Sequence, residues 1–226
     1  MCENETAKNS MPLIGDPAPE FEAVTTQGPI KFPEDFQGKW VVFFSHPADF
    51  TPVCTTEFMT FASMADEFHA INTELLGLSV DSLYAHLAWL RRIEGLEFNG
   101  LKNIEVKFPL IEDIKMEVAN KYGMIQPKQS TTQAVRAVFI IDPKGIVRAI
   151  LYYPQSTGRY MPEIKRIIQS LQKVDEESIA TPANWQPGDD VIVPPTRSMN
   201  AAKERMEHTP EGMYCLDWFL CFKKEQ

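Results

Sequence analysis

Two short apolar runs, a switch to helical spacing after each, and a late change in composition predict an α/β fold with a C-terminal extension arm. Trp40-Val41-Val42-Phe43-Phe44 and Leu75-Leu76-Gly77-Leu78-Ser79-Val80 have the length and content of buried strands. After the first run, Phe58, Phe61, Met64, Ala65 and Phe68 fall on one helical face; after the second, Leu83, Leu87 and Leu90 do the same. Strand, helix, strand, helix in that order describes βαβ units around a mostly parallel sheet. From Asp175 onward, prolines at 182, 187, 194, 195 and 210 interrupt the chain. Periodic apolar residues there are too few for a separate core.

In chain order, residues 1–11 read as a mobile tail, with Cys2 a spectator inside it. Ile14-Gly15-Asp16-Pro17-Ala18-Pro19 is a turn-rich entry. Phe21-Glu22-Ala23-Val24 alternates as a short strand, and Ile30-Lys31-Phe32 is placed to pair with it as a hairpin. The central strand and the helix containing Cys54 come next. Asp81-Ser82 caps a helix over residues 83–93. Residues 95–103 read as a loop leading to a short strand near Phe108-Pro109-Leu110-Ile111, and residues 114–122 as a short helix with Gly123 just past its end. Apolar segments 136–141 and 146–152 flank Asp142-Pro143-Lys144-Gly145, a strong hairpin signal. Residues 162–174 then put Ile164, Ile167, Ile168 and Leu171 on one face of a closing helix. This order over residues 12–174 fits a thioredoxin-like domain. Residues 175–226, with one helix-like segment at 198–207, read as an arm lying over another surface, such as that of a partner subunit.

The net charge of −9, with no basic stripe, argues against nucleic-acid or anionic-membrane partners. No apolar run approaches the roughly 20 residues that span a bilayer. The N-terminus is polar and lacks a signal-peptide core, so a cytoplasmic location is expected. Four cysteines in 226 residues are too few for a disulfide scaffold, which gives weight to reactive or redox roles.

The most informative stretch is Phe44-Ser45-His46-Pro47-Ala48-Asp49-Phe50-Thr51-Pro52-Val53-Cys54-Thr55-Thr56-Glu57. Pro52 fixes its own φ and keeps Thr51 extended, so the helix cannot begin much before Pro52. Cys54 therefore falls in a first helical turn, where unpaired N–H groups and the positive end of the macrodipole favour a thiolate. The alternative is a buried cysteine acting as a small apolar residue, but a core position needs no such tailored loop.

This segment resembles the active-site segment of the peroxiredoxins, specifically the type-six, one-cysteine-like subfamily, and the similarity runs from about Pro12 to Trp218. The resemblance implies a thioredoxin-like fold with the arm as the C-terminal domain. It also implies a peroxidase that reduces hydrogen peroxide and organic hydroperoxides without a cofactor or metal. Such chemistry needs a thiolate to attack one oxygen of the O–O bond and donors aimed at the oxygens as charge moves onto them. Cys54 supplies the sulfur. The Thr51 hydroxyl can donate to the thiolate and accept from the peroxide; a helix cap is the ordinary use of such a threonine, and the two roles are compatible. Pro47 either shields the thiolate from water or only stops a loop. Arg136, at the start of an apolar strand, reads by itself as a strand-end arginine in water; the resemblance instead aligns it with the arginine that contacts sulfur and substrate. Glu57, one turn beyond Cys54, would oppose a nearby thiolate unless it binds an arginine, as the family suggests for Arg136 and Arg159. His46 is a hydrogen-bonding candidate for the pocket, in support rather than as a general base.

The sulfenic acid formed on Cys54 must be reduced by another thiol. Cys215 and Cys221 bracket Leu216-Asp217-Trp218-Phe219-Leu220 and allow three readings: apolar anchors, a structural disulfide or half of a metal site, or resolution of the sulfenic acid by Cys215 with Cys221 as an alternate partner. Some members of the subfamily carry two such cysteines, which favours the third reading. The resemblance further implies a thioredoxin-like dithiol reductant and homodimers assembled into decameric rings. A disulfide reductase is excluded because Thr55-Thr56-Glu57 comes after Cys54 in place of a Cys-x-x-Cys. The phospholipase activity of some relatives is not carried over, since Phe36-Gln37-Gly38-Lys39-Trp40 has no serine. A redox-regulated holdase or a peroxide sensor using the same cysteine is the competing reading.

Overall fold

The computed structural model describes residues 11–225. The expected tail through residue 10, Cys2 included, lies outside them. Met11 is not free chain: its sulfur lies 2.9 Å from Tyr152 Oη, whose hydrogen goes to Tyr122 O at 2.8 Å.

The chain divides into two units, Met1–Met161 and Pro162–Gln226. The first contains β1 (Phe21–Thr25), β2 (Gly28–Phe32), a 3-10 turn (Glu34–Phe36), β3 (Trp40–Ser45), α1 (Pro52–Ser63), α2 (Ala65–Ala70), β4 (Thr73–Ser79) and α3 (Leu83–Ile93). It continues with β5 (Glu97–Phe98), β6 (Leu101–Lys102), β7 (Leu110–Glu112), α4 (Glu117–Lys121), β8 (Arg136–Ile141) and β9 (Val147–Tyr153). Among the described residues, seven strands form one sheet in the order β2-β1-β7-β4-β3-β8-β9.

Only β7, β4 and β3 run parallel; β1 with β2, β1 with β7, β3 with β8 and β8 with β9 are antiparallel. The sheet is therefore mixed rather than mostly parallel. The βαβ pattern covers its centre, and hairpins at both margins add the rest. Residues 95–103, expected as loop, fold into the small β5–β6 hairpin. The helix expected over 114–122 is shorter. Asp113 takes N–H bonds from Val118 and Ala119, and Met116 sits at φ 58°, so regular helix begins only at Glu117.

All six residues of β3 are buried, as suits a strand covered on both faces. Side-chain alternation divides its aromatics. Phe43 packs with Phe21, Phe32, Tyr122 and Phe139 on one face. On the other, Phe44 meets Phe58 and Phe61 of α1. Each fully buried ring contributes about 1.5–3 kcal/mol, more than the ~0.3–1 kcal/mol of a helix-end charge effect, so packing decides where the first turn of α1 lies.

In the second unit, α5 (Met161–Glu177), all but its first residue, leads to β10 (Val191–Val193), α6 (Met199–Glu207), β11 (Met213–Asp217) and β12 (Leu220–Lys223). The sequence pattern places the end of the first body at residue 174. The structure instead groups α5 with the C-terminal segments: Arg166 Nη1 donates to Trp185 O at 3.1 Å, Ser170 and Thr181 hydroxyls lie 2.7 Å apart, and Lys173 Nζ reaches Glu225 at 2.8 Å. The arm is also not limited to a single helix-like segment: beside α6, β10, β12 and β11 form a three-stranded antiparallel sheet. Cys215 and Cys221 are direct cross-strand partners in it and are joined by a disulfide.

Candidate active site

Helix α1 begins at Pro52 with Thr51 extended before it, so Cys54 occupies the third helical position, as its spacing from Pro52 requires. Among the described residues it is the free cysteine, and it is fully buried. Gly158 brings another loop close: a Cβ there would lie 3.4 Å from Val53 Cγ1.

Antiparallel pairing of β8 with β3 brings Arg136 to the same place. Phe44 is opposite Val138, so the first residue of β8 stands beside the chain leaving β3. Arg136 Nη1 donates to Cys54 Sγ at 3.3 Å and to Glu57 Oε2 at 2.8 Å, while Nε and Nη2 both donate to Gln155 O, at 3.0 and 2.8 Å. Arg136 is 2% exposed, which corrects the simple reading of a strand-end arginine in water. Its burial is tolerable because the guanidinium is paired on one side and hydrogen-bonded on the other.

Glu57 is the centre of this arrangement. It accepts from Arg136 Nη1 and from Arg159 N, Nε and Nη2, the last at 2.6 Å. Arg159 Nη1 also donates to Ser45 O and Ala137 O, and the guanidinium lies over the rings of Phe44 and Phe61, 5.1 and 5.6 Å from their centroids. Burial raises the Glu57 carboxyl, but Arg159 and then Arg136 outweigh it, and its pKa is lowered from the ordinary value. Two guanidinium groups face one carboxylate, which leaves a net positive charge against which an anionic sulfur brings the cluster to neutrality.

Thr51 does not do all that its type and position suggested. Its side chain makes no cap, and its hydroxyl donates to Ala48 O at 2.8 Å. The proton is thus committed to the loop, the donor to sulfur is Arg136, and Thr51 Oγ1 keeps its acceptor lone pairs. Pro47 is buried in the same loop. His46 is fully buried; its Nε2 lies 3.0 Å from Asp49 Oδ1 and its Nδ1 has no hydrogen-bond partner among the described residues. Cys215 and Cys221 belong to the second unit.

Sequence reasoning missed three contributors. Gln155 offers only its backbone carbonyl, which no side-chain pattern reveals. Ser45 Oγ bridges Val135 O and Ala137 N, locking β3 to β8 beside the arginine. His86 enters from α3 through Asp49, 37 positions away in sequence.

This assembly of a buried sulfur, a first-turn position and paired guanidinium groups defines a thiol-based redox site on a thioredoxin-like sheet. Comparisons with known proteins agree. The AhpC/TSA family matches residues 14–150, more than half of the chain, and the C-terminal domain of 1-Cys peroxiredoxin matches residues 170–209. A peroxiredoxin of Methanosarcina mazei is 70% identical over 216 residues, covering 95% of this chain and 99% of its own. A yeast mitochondrial 1-Cys peroxiredoxin, solved for its thiol-resolving mechanism via glutathione/thioredoxin systems, superposes with a TM-score of 0.80 at 40% identity, over 95% of this chain and 100% of its own. A mutant of Peroxiredoxin 6 from Arenicola marina gives a TM-score of 0.81 at 34% identity, over 95% and 99%. The chain belongs to the peroxiredoxin family, and it is a thiol-dependent peroxidase.

Proposed function

We propose that Cys54 is the nucleophile that reduces hydrogen peroxide and organic hydroperoxides to water and alcohols. The thiolate attacks one peroxide oxygen; the O–O bond breaks, the sulfur becomes a sulfenic acid, and the other oxygen leaves as water or alcohol after taking a proton. Arg136 stabilises the sulfur and the charge that develops on the oxygens, Glu57 and Arg159 hold Arg136 in place, and Thr51 accepts from the incoming peroxide. Pro47 keeps water from the sulfur, and His46 contributes to substrate binding. The observation that carries this reading is the 3.3 Å contact from a buried, carboxylate-anchored guanidinium to a first-turn cysteine sulfur. Peroxide consumption with a dithiol reductant, compared between wild type and Cys54→Ser, tests it. Activity is expected to vanish in the variant, and a retained catalytic rate overturns the assignment.

Cys215 is assigned as the resolving thiol. Once a dithiol reductant has opened the Cys215–Cys221 disulfide, Cys215 attacks the Cys54 sulfenic acid of another subunit, a disulfide forms and water leaves. Cys221, its cross-strand and disulfide partner, becomes the alternate thiol after the same reduction, and a thioredoxin-like dithiol restores the reduced enzyme. Disulfide formation needs Cα atoms within about 7 Å, so the first turn of α1 must open to release the buried Cys54. Support for the donor class comes from the yeast relative, described with glutathione/thioredoxin systems. Non-reducing gels after peroxide treatment are expected to show a crosslinked dimer that Cys215→Ser lacks; an unchanged crosslink in that variant defeats the resolving role. The assembly we assign is a homodimer built into a decameric ring, to be measured by analytical ultracentrifugation, and the compartment is the cytoplasm. No helix among the described residues is long and apolar enough to cross a membrane.

A further inference from the structure

The loop between β3 and α1 is held from behind by a buried network of which only His46 has been given a part in the cysteine chemistry. Asp49 Oδ1 lies 3.0 Å from His46 Nε2, and Asp49 Oδ2 lies 2.7 Å from His86 Nδ1 on α3. His86 Nε2 is 3.1 Å from the carbonyl oxygen of Ile111 on β7. His46 and His86 are fully buried and Asp49 nearly so. Asp81 Oδ2 accepts from the backbone N–H of Asp49 at 3.0 Å and from Ser79 Oγ at 2.7 Å.

Hydrogen counting restricts the protonation of this network. A carbonyl oxygen only accepts, so His86 Nε2 carries a hydrogen. A neutral His86 would then face Asp49 Oδ2 with a lone pair on Nδ1, and two lone pairs do not make a 2.7 Å contact with an ionised carboxylate. A further hydrogen must lie between them, as one must lie between His46 Nε2 and Asp49 Oδ1. With Asp49 ionised, His86 is an imidazolium, His46 is neutral and protonated at Nε2, and the three side chains together carry no net charge. The tendencies of Asp49 and His46 agree with this hydrogen count. Burial raises the Asp49 carboxyl, but its bonds to His46 and His86 prevail and leave it lowered; burial lowers His46 against the opposing pull of Asp49.

His46, Asp49 and Asp81 also place potential metal-ligand atoms within 4.8 Å of one another. Their contacts are already made by N–H and O–H donors, which is the arrangement of a proton network rather than a vacant ion site. What remains is His46 Nδ1, a buried lone pair without a donor among the described residues. Burying such an atom is costly unless something supplies a hydrogen bond to it. Immediately after Asp49, Phe50 adopts φ 56°, a left-handed conformation that a bulky residue keeps only when its surroundings impose it.

We propose that Asp49 and His86 are positioning residues of the peroxidase: as a buried carboxylate–imidazolium pair they hold His46 as the neutral ring protonated at Nε2, leave its Nδ1 lone pair for the O–H of an arriving hydroperoxide, and fix the loop that carries Pro47 and Thr51. This rests on the assignment of Cys54 and His46 to the peroxide site. Neither Asp49 nor His86 touches the reacting atoms; both act through His46 and the loop.

The direct test is long-range proton–nitrogen NMR on the reduced, full-length protein labelled at its histidine nitrogens. His46 is expected to be protonated at Nε2 only and His86 at both nitrogens. A His46 protonated at Nδ1, or a His86 with one bare nitrogen beside an ionised Asp49, overturns the proposal without reference to activity. In His86→Leu, Asp49 must take up a proton, His46 is expected to switch tautomer, and kcat/KM for hydrogen peroxide is expected to fall about tenfold. His86→Gln, whose amide again donates to Asp49, should restore the His46 tautomer and recover most of the rate. If His86→Leu fails to fold, the wild-type tautomers and the glutamine variant still decide the matter. A changed tautomer with an unchanged rate refutes the positioning role. The Cys54 assignment fails by a different result, retained activity in Cys54→Ser, which leaves the NMR pattern untouched.

Discussion

Replacing Glu57 by glutamine keeps the shape of the side chain and removes the charge that two buried guanidinium groups share. The carboxylate accepts four N–H bonds, from Arg136 Nη1 and from Arg159 N, Nε and Nη2. Whichever oxygen becomes an amide NH2, two of those donors then face another donor, and Arg136 and Arg159 lose their carboxylate in a site that is 3% exposed at Glu57. Removing one partner of a buried pair costs about 3–5 kcal/mol. For a chain of this length, that corresponds to a fall in Tm of roughly 6–20 °C. The carboxyl pKa is lowered in the folded state, so its contribution is complete above the unfolded value near 4.5 and is lost as pH falls through the folded value. The difference between wild type and variant should therefore be full at neutral pH and shrink in acid. Thermal unfolding of the reduced proteins by near-ultraviolet circular dichroism, at neutral and acid pH, measures both. The peroxidase rate should fall as well, because Arg136 loses one of its two anchors. A variant that melts within about 2 °C of wild type at neutral pH and keeps its rate would refute the view of Glu57 as the holder of both arginines.

Arg136→Lys keeps the charge but loses the fork that serves sulfur, Glu57 and Gln155 O together. We expect kcat/KM for hydrogen peroxide to drop by about 10²-fold, and a rate equal to wild type in stopped-flow assays would contradict the role given to the guanidinium. Ser45→Ala removes a hydroxyl that donates to Val135 O and accepts from Ala137 N. Urea unfolding should show a loss of about 1–3 kcal/mol, the cost of buried groups left unpaired. His46 has a pKa lowered below 6.5 in the folded state, so the unfolded chain takes up its proton first. Stability should decline as pH drops below about 6.5, and urea midpoints in His46→Gln should lack that part of the slope.

The helix start that places Cys54 in a first turn was legible because its signals are local. Pro52 stops the helix from starting earlier, Cys54 stands at a fixed offset from it, and both can be read without knowing where the rest of the chain lies. The β8–β9 hairpin was equally plain from Asp142-Pro143-Lys144-Gly145. The mixed sheet was not legible, since an apolar run has the same pattern whether its neighbour is parallel or antiparallel. Strands β10, β11 and β12 escaped because three to five residues, some half-exposed, leave too little periodicity to stand above irregular chain. Arg136 shows how local reading misleads: a charge opening an apolar strand looks solvated until Glu57, 79 positions away, is seen beside it. Asp49 and His86 fall in the same class, since only the topology brings α3 behind the loop.

The register of β8 against β3 has a consequence for anyone wishing to move this chemistry to another scaffold. Side chains alternate between faces along a strand, so sliding β8 by a single residue would turn the guanidinium away from the sulfur while preserving every residue of the cysteine loop. Transplanting that loop alone would deliver a cysteine without the arginine beside it. The transferable unit is two adjacent antiparallel strands with their alignment intact, and the loop is merely its visible end.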